Sequence, residues 1–156
     1  MPKESAGILL YRQKNNRTEV LLVHPGGPFF QKKDLGSWSI PKGEFLDNEN
    51  PLEAAIREFE EELGSKPTGP YRQLNTIRQK SGKVVHTWIA EGDLDTASFS
   101  CNTFTIEWPK GSGRMKSFPE IDKAEWFELV SAKKKILESQ QSLLNELEVN
   151  LKIYNS

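Results

Sequence analysis

Apolar positions fall into short β-rich runs early in the chain and into helical stripes later. Residues 6–11 and 20–23 are dominated by Ile, Leu and Val. The polar stretch 12–19 separates them, and its Asn15-Asn16 pair carries turn chemistry, so the two runs read as antiparallel strands. Pro25, Gly26, Gly27 and Pro28 then break regular structure, and Trp38-Ser39-Ile40 reads as a short strand stopped by Pro41. Over residues 51–63 the period changes. Leu52, Ala55, Ile56, Phe59 and Leu63 form one continuous helical stripe. The ends of this helix are punctuated: Asn50 suits the N-cap, Pro51 the first helical position, Glu53 the acid of a capping box and Gly64 the C-terminal cap.

Further on, residues 71–79 and 84–90 read as strands around a Ser81-Gly82 turn, and 103–108 as another. Residues 110–116 form a basic loop containing Gly111 and Gly113. Trp126-Phe127 begins a short strand or edge segment, and apolar residues at 136, 137, 143, 144 and 147 predict a closing amphipathic helix over 131–147. Strands first, one helix in the middle and one at the end predict an α/β fold of the α+β or mixed three-layer kind.

The charge pattern of the middle helix changes the picture. Glu58, Glu61 and Glu62 stand at i, i+3 and i+4, off the apolar stripe and on one shared flank. Like charges at that spacing repel, and a bound divalent cation is the natural compensation. Carboxylate oxygens are hard ligands, suited to Mg²⁺ or Mn²⁺. The competing reading of three such acids alone is a solvated acidic face. With 156 residues the chain is expected to form a single domain, 1–156. Its net charge of −1 gives no footprint for general nucleic-acid binding, so a phosphate-bearing ligand would need local basic groups or metal. Cys101 is the one cysteine, which excludes an intramolecular disulfide and a Cys-rich zinc site. There is neither the apolar run of a signal peptide nor a stretch of 18 apolar residues, so a cytoplasmic protein with no membrane partner is expected; the oligomeric state stays open.

Gly43, Glu49, Arg57, Glu58, Glu61, Glu62 and Gly64 occupy every fixed position of the pattern Gly-x5-Glu-x7-Arg-Glu-apolar-x-Glu-Glu-x-Gly-apolar, with Phe59 and Ser65 departing only at its permissive positions. On these residues the chain resembles the Nudix hydrolase superfamily. The lead-in Trp38-Ser39-Ile40-Pro41-Lys42-Gly43-Glu44 resembles that of dinucleoside-polyphosphate and diphosphoinositol-polyphosphate members. Over its whole length the chain is similar to a bacterial branch described as nucleotide pyrophosphohydrolases.

The resemblance implies an α/β/α sandwich with a mixed sheet, 51–63 as the catalytic helix, and a hydrolase that uses Mg²⁺ or Mn²⁺. It implies metal ligation by Glu58, Glu61 and Glu62, by the carbonyl of Lys42 and by Glu120, and catalytic roles for Glu58, Glu61, Arg57 and Glu120. The general base is open among the four glutamates. Arg57 would orient a ligand carboxylate, pairing with Glu53 or Glu61, while Glu49 would cap a loop or bond at the site. Lys42 would hold phosphate, and Trp38 would either stack a base, as Phe29 and Phe30 could, or belong to the core. Lys32, Lys33, Lys110, Arg114 and Lys116 are candidates for a longer phosphate chain, against a plain reading as surface charge. His24 and His86 read first as structural.

The implied substrate is a small nucleotide, a nucleoside diphosphate linked to another group. The lead-in favours dinucleoside polyphosphates of the diadenosine tetraphosphate type, ahead of nucleoside triphosphates. The tyrosine that often follows the pattern in dinucleoside-polyphosphate enzymes is absent from 80–83, which read Lys, Ser, Gly, Lys. A non-catalytic nucleotide sensor on the same fold, which commonly loses such acids, is the reading from another class.

Overall fold

A computed structural model describes residues 3–97, 99 and 101–155, with side chains as far as 152. Met1 and Pro2, at the start of the expected 1–156 unit, lie outside the described residues, as do Ser98, Ser100 and Ser156. In chain order the elements are β1 (Glu4–Lys14), β2 (Arg17–Pro25), β3 (Lys42–Glu44), α1 (Pro51–Leu63), β4 (Arg72–Gln73), β5 (Ile77–Arg78), β6 (Val84–Glu91), β7 (Thr103–Glu107), β8 (Met115–Pro119), β9 (Ile121–Glu128), α2 (Leu129–Lys135) and α3 (Gln141–Asn155).

The main sheet runs β4-β6-β1-β2-β9, with β3 added beside β1 and β5 beside β6. Strand β1 pairs parallel with β6 and antiparallel with β2 and β3, so the sheet is mixed. It is covered on both faces, which is why β1 is buried without interruption over 5–10 instead of alternating. On one face Ala6, Ile8, Leu10, Leu21, Val23, Trp88 and Ala124 receive Ala54, Ala55, Phe59 and Leu63 of α1. On the other, Leu9, Val20, Leu22 and Ile89 receive Ala132, Ile136, Leu143, Leu144 and Leu147. The result is the sandwich with a mixed sheet that the sequence led us to expect. Strands β7 and β8 form a separate two-stranded hairpin.

Helix α1 keeps its expected bounds. Asn50 Oδ1 accepts from the Glu53 N–H at 3.1 Å, Pro51 begins the helix, and Gly64 ends it at φ 74° with its N–H on the Glu60 carbonyl. The stripe gains Ala54, which is fully buried.

Three expectations need correction. The helix expected over 131–147 is two helices. Ile136 and Leu137 are extended between them, because Trp38 intrudes there: its N–H donates to the Lys135 carbonyl at 3.0 Å and its carbonyl accepts from Leu137 N–H at 2.8 Å. Burial of Ile136 and Trp38 outweighs a continuous helix, and α3 then runs on past 147. The strand expected over 71–79 is split into β4 and β5. Leu74 turns into the core, and the Asn75 N–H is taken by the Glu146 carboxylate of α3. Strand β8 was hidden within and beyond the basic loop, and Trp38-Ser39 makes only isolated bridges to Ile136 and Val23.

Candidate metal centre

At the edge of the contact between α1 and β3, Glu61 is exposed while Glu58 and Glu62 turn in towards the strand. The lack of a side chain at Gly43 makes this approach possible. A Cβ there would stand 2.1 Å from Glu58 Oε2, so the Glu58 carboxylate lies directly over the β3 backbone. Arg57 gathers the neighbours. Its Nε and one terminal nitrogen grip both oxygens of Glu49 at 2.8 and 3.0 Å, and the other terminal nitrogen reaches Glu58 Oε1 at 2.9 Å and Glu61 Oε1 at 3.1 Å. The bidentate partner of Arg57 is therefore Glu49, from the loop before the helix, rather than Glu53. This clamp keeps the guanidinium firmly protonated and holds the Glu49 carboxyl below its ordinary value.

Glu62 lies deeper. Burial pushes its carboxyl up to about 9, and the charges of Glu58 and Glu120 push the same way; Lys42, through its charge and its backbone N–H, only partly opposes them. One oxygen, Oε2, is fully buried with no hydrogen-bond partner. Glu58 is also raised, first by burial, then by Glu61 and Glu120 against the opposing pull of Arg57. Glu120 is exposed on the turn between β8 and β9. It is fixed there by its backbone: its N–H donates to Asn102 O at 3.0 Å, and its carbonyl accepts from Gly26 N–H at 2.8 Å.

As the side chains stand, no three His, Cys, Asp or Glu groups among the described residues converge as a ready-made cation cage. Arg57 occupies part of Glu58 and Glu61. The local chemistry nevertheless fits a divalent cation: the acids are hard oxygen donors, two are raised by burial and by one another, and one buried oxygen lacks any donor.

Lys42 lies beside these acids, but its side chain leaves β3 on the opposite face of the sheet. A Cβ built at Gly7 would stand 2.7 Å from Lys42 Cβ and 2.9 Å from Ile40 Cδ1, a residue of the second core. Burial lowers the Lys42 ammonium, and Lys83 adds to this against Glu62, Glu44 and Glu58. Trp38 does not join the site, which corrects its expected role in stacking a base. Its ring is 3% exposed, wedged 5.1 Å from His24 and 5.0 Å from Phe127, and its Nε1 donates to Asp34 at 2.8 Å. His24 is buried between Asp122 and the Lys33 carbonyl, and His86 pairs with Glu4, both in structural contacts.

Sequence reasoning missed a cleft of about 690 Å³ beside the Arg57–Glu49 clamp, lined by Glu44, Phe45, Leu46, Asn48, Asn50 and Glu53. Its walls come from a loop of low periodicity, which offered no signal.

A family profile described as NUDIX domain matches residues 1–147. The rat bis(5'-nucleosyl)-tetraphosphatase [asymmetrical] is 32% identical over 104 residues, which are 58% of this chain and 66% of that protein. The chain thus spans just under two thirds of that relative's length. A C. elegans Ap4A hydrolase, solved as a binary complex, superposes with a TM-score of 0.67 at 23% identity, over 95% of this chain and 98% of that one. The NUDIX domain of Shewanella oneidensis NrtR, solved with ADP ribose, gives 0.66 at 19% identity, over 97% and 89%. At these identities the two structures speak for the fold.

Proposed function

Because the chain belongs to the NUDIX domain family of pyrophosphohydrolases, we propose that it hydrolyses a phosphoanhydride bond of a dinucleoside polyphosphate, of the diadenosine tetraphosphate type, with the help of Mg²⁺ or Mn²⁺. The observation that carries the reading is the buried, donorless Glu62 Oε2 in a group of mutually repelling carboxylates. A hard cation answers that arrangement and a neutral ligand does not. The substrate half of the reading is supported by the 32% identity to a bis(5'-nucleosyl)-tetraphosphatase.

When bound, the metal supplies Lewis-acid polarisation of the phosphoryl group and neutralises developing charge. Glu58, Glu61, Glu62, Glu120 and the Lys42 carbonyl are the proposed donors. Arg57, anchored on Glu49, holds the Glu58 and Glu61 carboxylates close to one another and would give up its bond to an oxygen of each when the metal binds. Glu120, exposed at the rim, accepts a proton from the attacking water in this reading. Lys42 adds positive charge from the far side of β3.

The test is a panel of diadenosine tetraphosphate, nucleoside triphosphates and ADP-ribose, offered with Mg²⁺ or Mn²⁺ to the wild type and to Glu61→Gln. The expected result is release of mononucleotide products from the tetraphosphate, lost in the variant. Preferred turnover of triphosphates would overturn the substrate; tight nucleotide binding without turnover of any diphosphate would overturn the enzyme reading in favour of a sensor.

A further inference from the structure

Strand β9 breaks its own alternation beside Glu120. Ile121 and Ala124 stand three positions apart, yet both are buried in the core under α1, where a regular strand would send them to opposite faces. The pairing with β2 gives the cause. His24 stands opposite Lys123 and Pro25 opposite Ile121, so Asp122 is an extra residue on β9. Such a bulge shifts the side-chain phase by one residue and re-aims what precedes it. Here it turns Ile121 inward and sets the path of the chain through Glu120. Gly26 passes hard against that turn: a Cβ on it would lie 2.0 Å from the Pro119 carbonyl oxygen. The charge of Glu120 acts on both Glu58 and Glu62, so the turn brings it to the side of the acidic cluster.

The bulge is held by His24. Its Nδ1 lies 2.7 Å from Asp122 Oδ1, and its Nε2 lies 2.7 Å from the Lys33 carbonyl oxygen. A carboxylate and a carbonyl oxygen both only accept, whereas a neutral imidazole offers a single N–H. Both nitrogens therefore donate, and the ring is an imidazolium. A buried cation is costly unless it is paired, and Asp122 supplies the pair. Packing alone does not call for this arrangement, since a purely apolar ring would also meet Trp38, whose centre is 5.1 Å away. The other end of the bridge is anchored. Next to Lys33, Asp34 is gripped by Trp38 Nε1 at 2.8 Å and by Lys135, and Ser37 Oγ donates to its carbonyl at 2.6 Å. His24 thus ties the bulge to a loop that is itself pinned to α2.

We infer that His24 is a positioning residue, which through the Asp122 bulge keeps the Glu120 carboxylate beside Glu58 and Glu62. The part that Glu120 plays, as metal donor or proton acceptor, rests on the proposed function. The two-donor bridge rests on the geometry alone.

Bridge and effect are tested separately. NMR of isotope-labelled wild type at neutral pH is expected to show a hydrogen on each nitrogen of the His24 ring; a single N–H would overturn the bridge. The effect is read in a double-mutant cycle of Asp122→Ala with Glu120→Gln, by Mn²⁺ titration and by steady-state hydrolysis of diadenosine tetraphosphate. Asp122 is partly exposed, so its truncation leaves the core filled; His24→Gln, which cannot donate in two opposite directions, repeats the test from the other side. Asp122→Ala is expected to lower kcat or Mn²⁺ affinity, whichever Glu120→Gln itself lowers, by about tenfold or more, with KM little changed. In the Glu120→Gln background the same change should cost less than about twofold. Asp122→Asn, whose amide oxygen still accepts from Nδ1, should recover most of the loss. Equal losses in both backgrounds, or no effect of Glu120→Gln on either quantity, would overturn the positioning role. A wild type that turns over no diphosphate would sink the proposed function, while the Mn²⁺ titrations and the ring spectrum would still decide the role of His24.

Discussion

Replacing Glu62 by Gln isolates the cost of the acidic cluster. In the unfolded chain this carboxyl ionises near its ordinary 4.5, but in the folded, metal-free protein it holds its proton to about 9. The folded state therefore binds more protons than the unfolded state between those values. Stability contributed by the protonated group is complete below pH 4.5, falls as pH rises and is exhausted above about 9. At pH 7 the interval already traversed is about 2.5 pH units, and at ~1.36 kcal/mol per unit it corresponds to at most about 3 kcal/mol. Gln keeps the shape and removes the titration, so in EDTA the variant should be more stable than wild type at pH 8 and equal to it near pH 4.5. In a protein of this size each kcal/mol moves the melting temperature by ~2–4 °C, which gives a gain of at most about 6–12 °C at neutral pH. Paired denaturation curves across pH, with EDTA and again with excess Mg²⁺, make the measurement. Magnesium should narrow or reverse the gap by stabilising wild type more, since the variant keeps the other donors but loses the charge of the Glu62 carboxylate. A variant no more stable than wild type at pH 8 in EDTA would show that Glu62 is not the strained group described.

Three further substitutions address other parts of the site. Gly43→Ala should displace the Glu58 carboxylate, since the new Cβ falls 2.1 Å from its oxygen; hydrolysis should drop by at least about 100-fold while circular dichroism stays unchanged. Arg57→Lys keeps the charge but loses the two-pronged grip on Glu49, so metal affinity or turnover should fall about 10–100-fold, as read by Mn²⁺ titration and kinetics. Trp38→Phe should destabilise the fold by ~1–2 kcal/mol through loss of the bond to Asp34 and of ring volume, with KM unchanged in a steady-state assay; a raised KM with normal stability would restore Trp38 to the substrate site.

Much of the site was legible because its chemistry is local. The spacing of Glu58, Glu61 and Glu62, the caps at Asn50 and Gly64, and the apolar stripe all lie within one helix, where period and distance are linked by geometry. Gly43 stood out in the pattern, but its reason, room for the Glu58 carboxylate, needed coordinates. What was not legible depends on contacts between distant segments. Nothing in residues 131–147 announces that Trp38 will open the helix at Ile136, and the opposite-facing side chain of Lys42 follows from the registration of β3 on β1. Trp38 stood open between base stacking and the core for the same reason: an aromatic before a proline gives no sign of whether its ring faces solvent or a second core.

The attachment of Glu120 has a consequence for how the site holds together. Residues 49–62 clamp one another within a single short segment, closed at little entropic cost and docked on the central strand of the sheet. Glu120 is held instead through Gly26 and Asn102, next to β9, which among the described residues pairs in the sheet only with β2, and at the irregular step between His24 and Pro25. The two parts therefore have separate opening energies. Fraying of that edge would carry off the rim carboxylate and leave the helical cluster assembled, so the centre can lose a member while the domain as a whole stays folded.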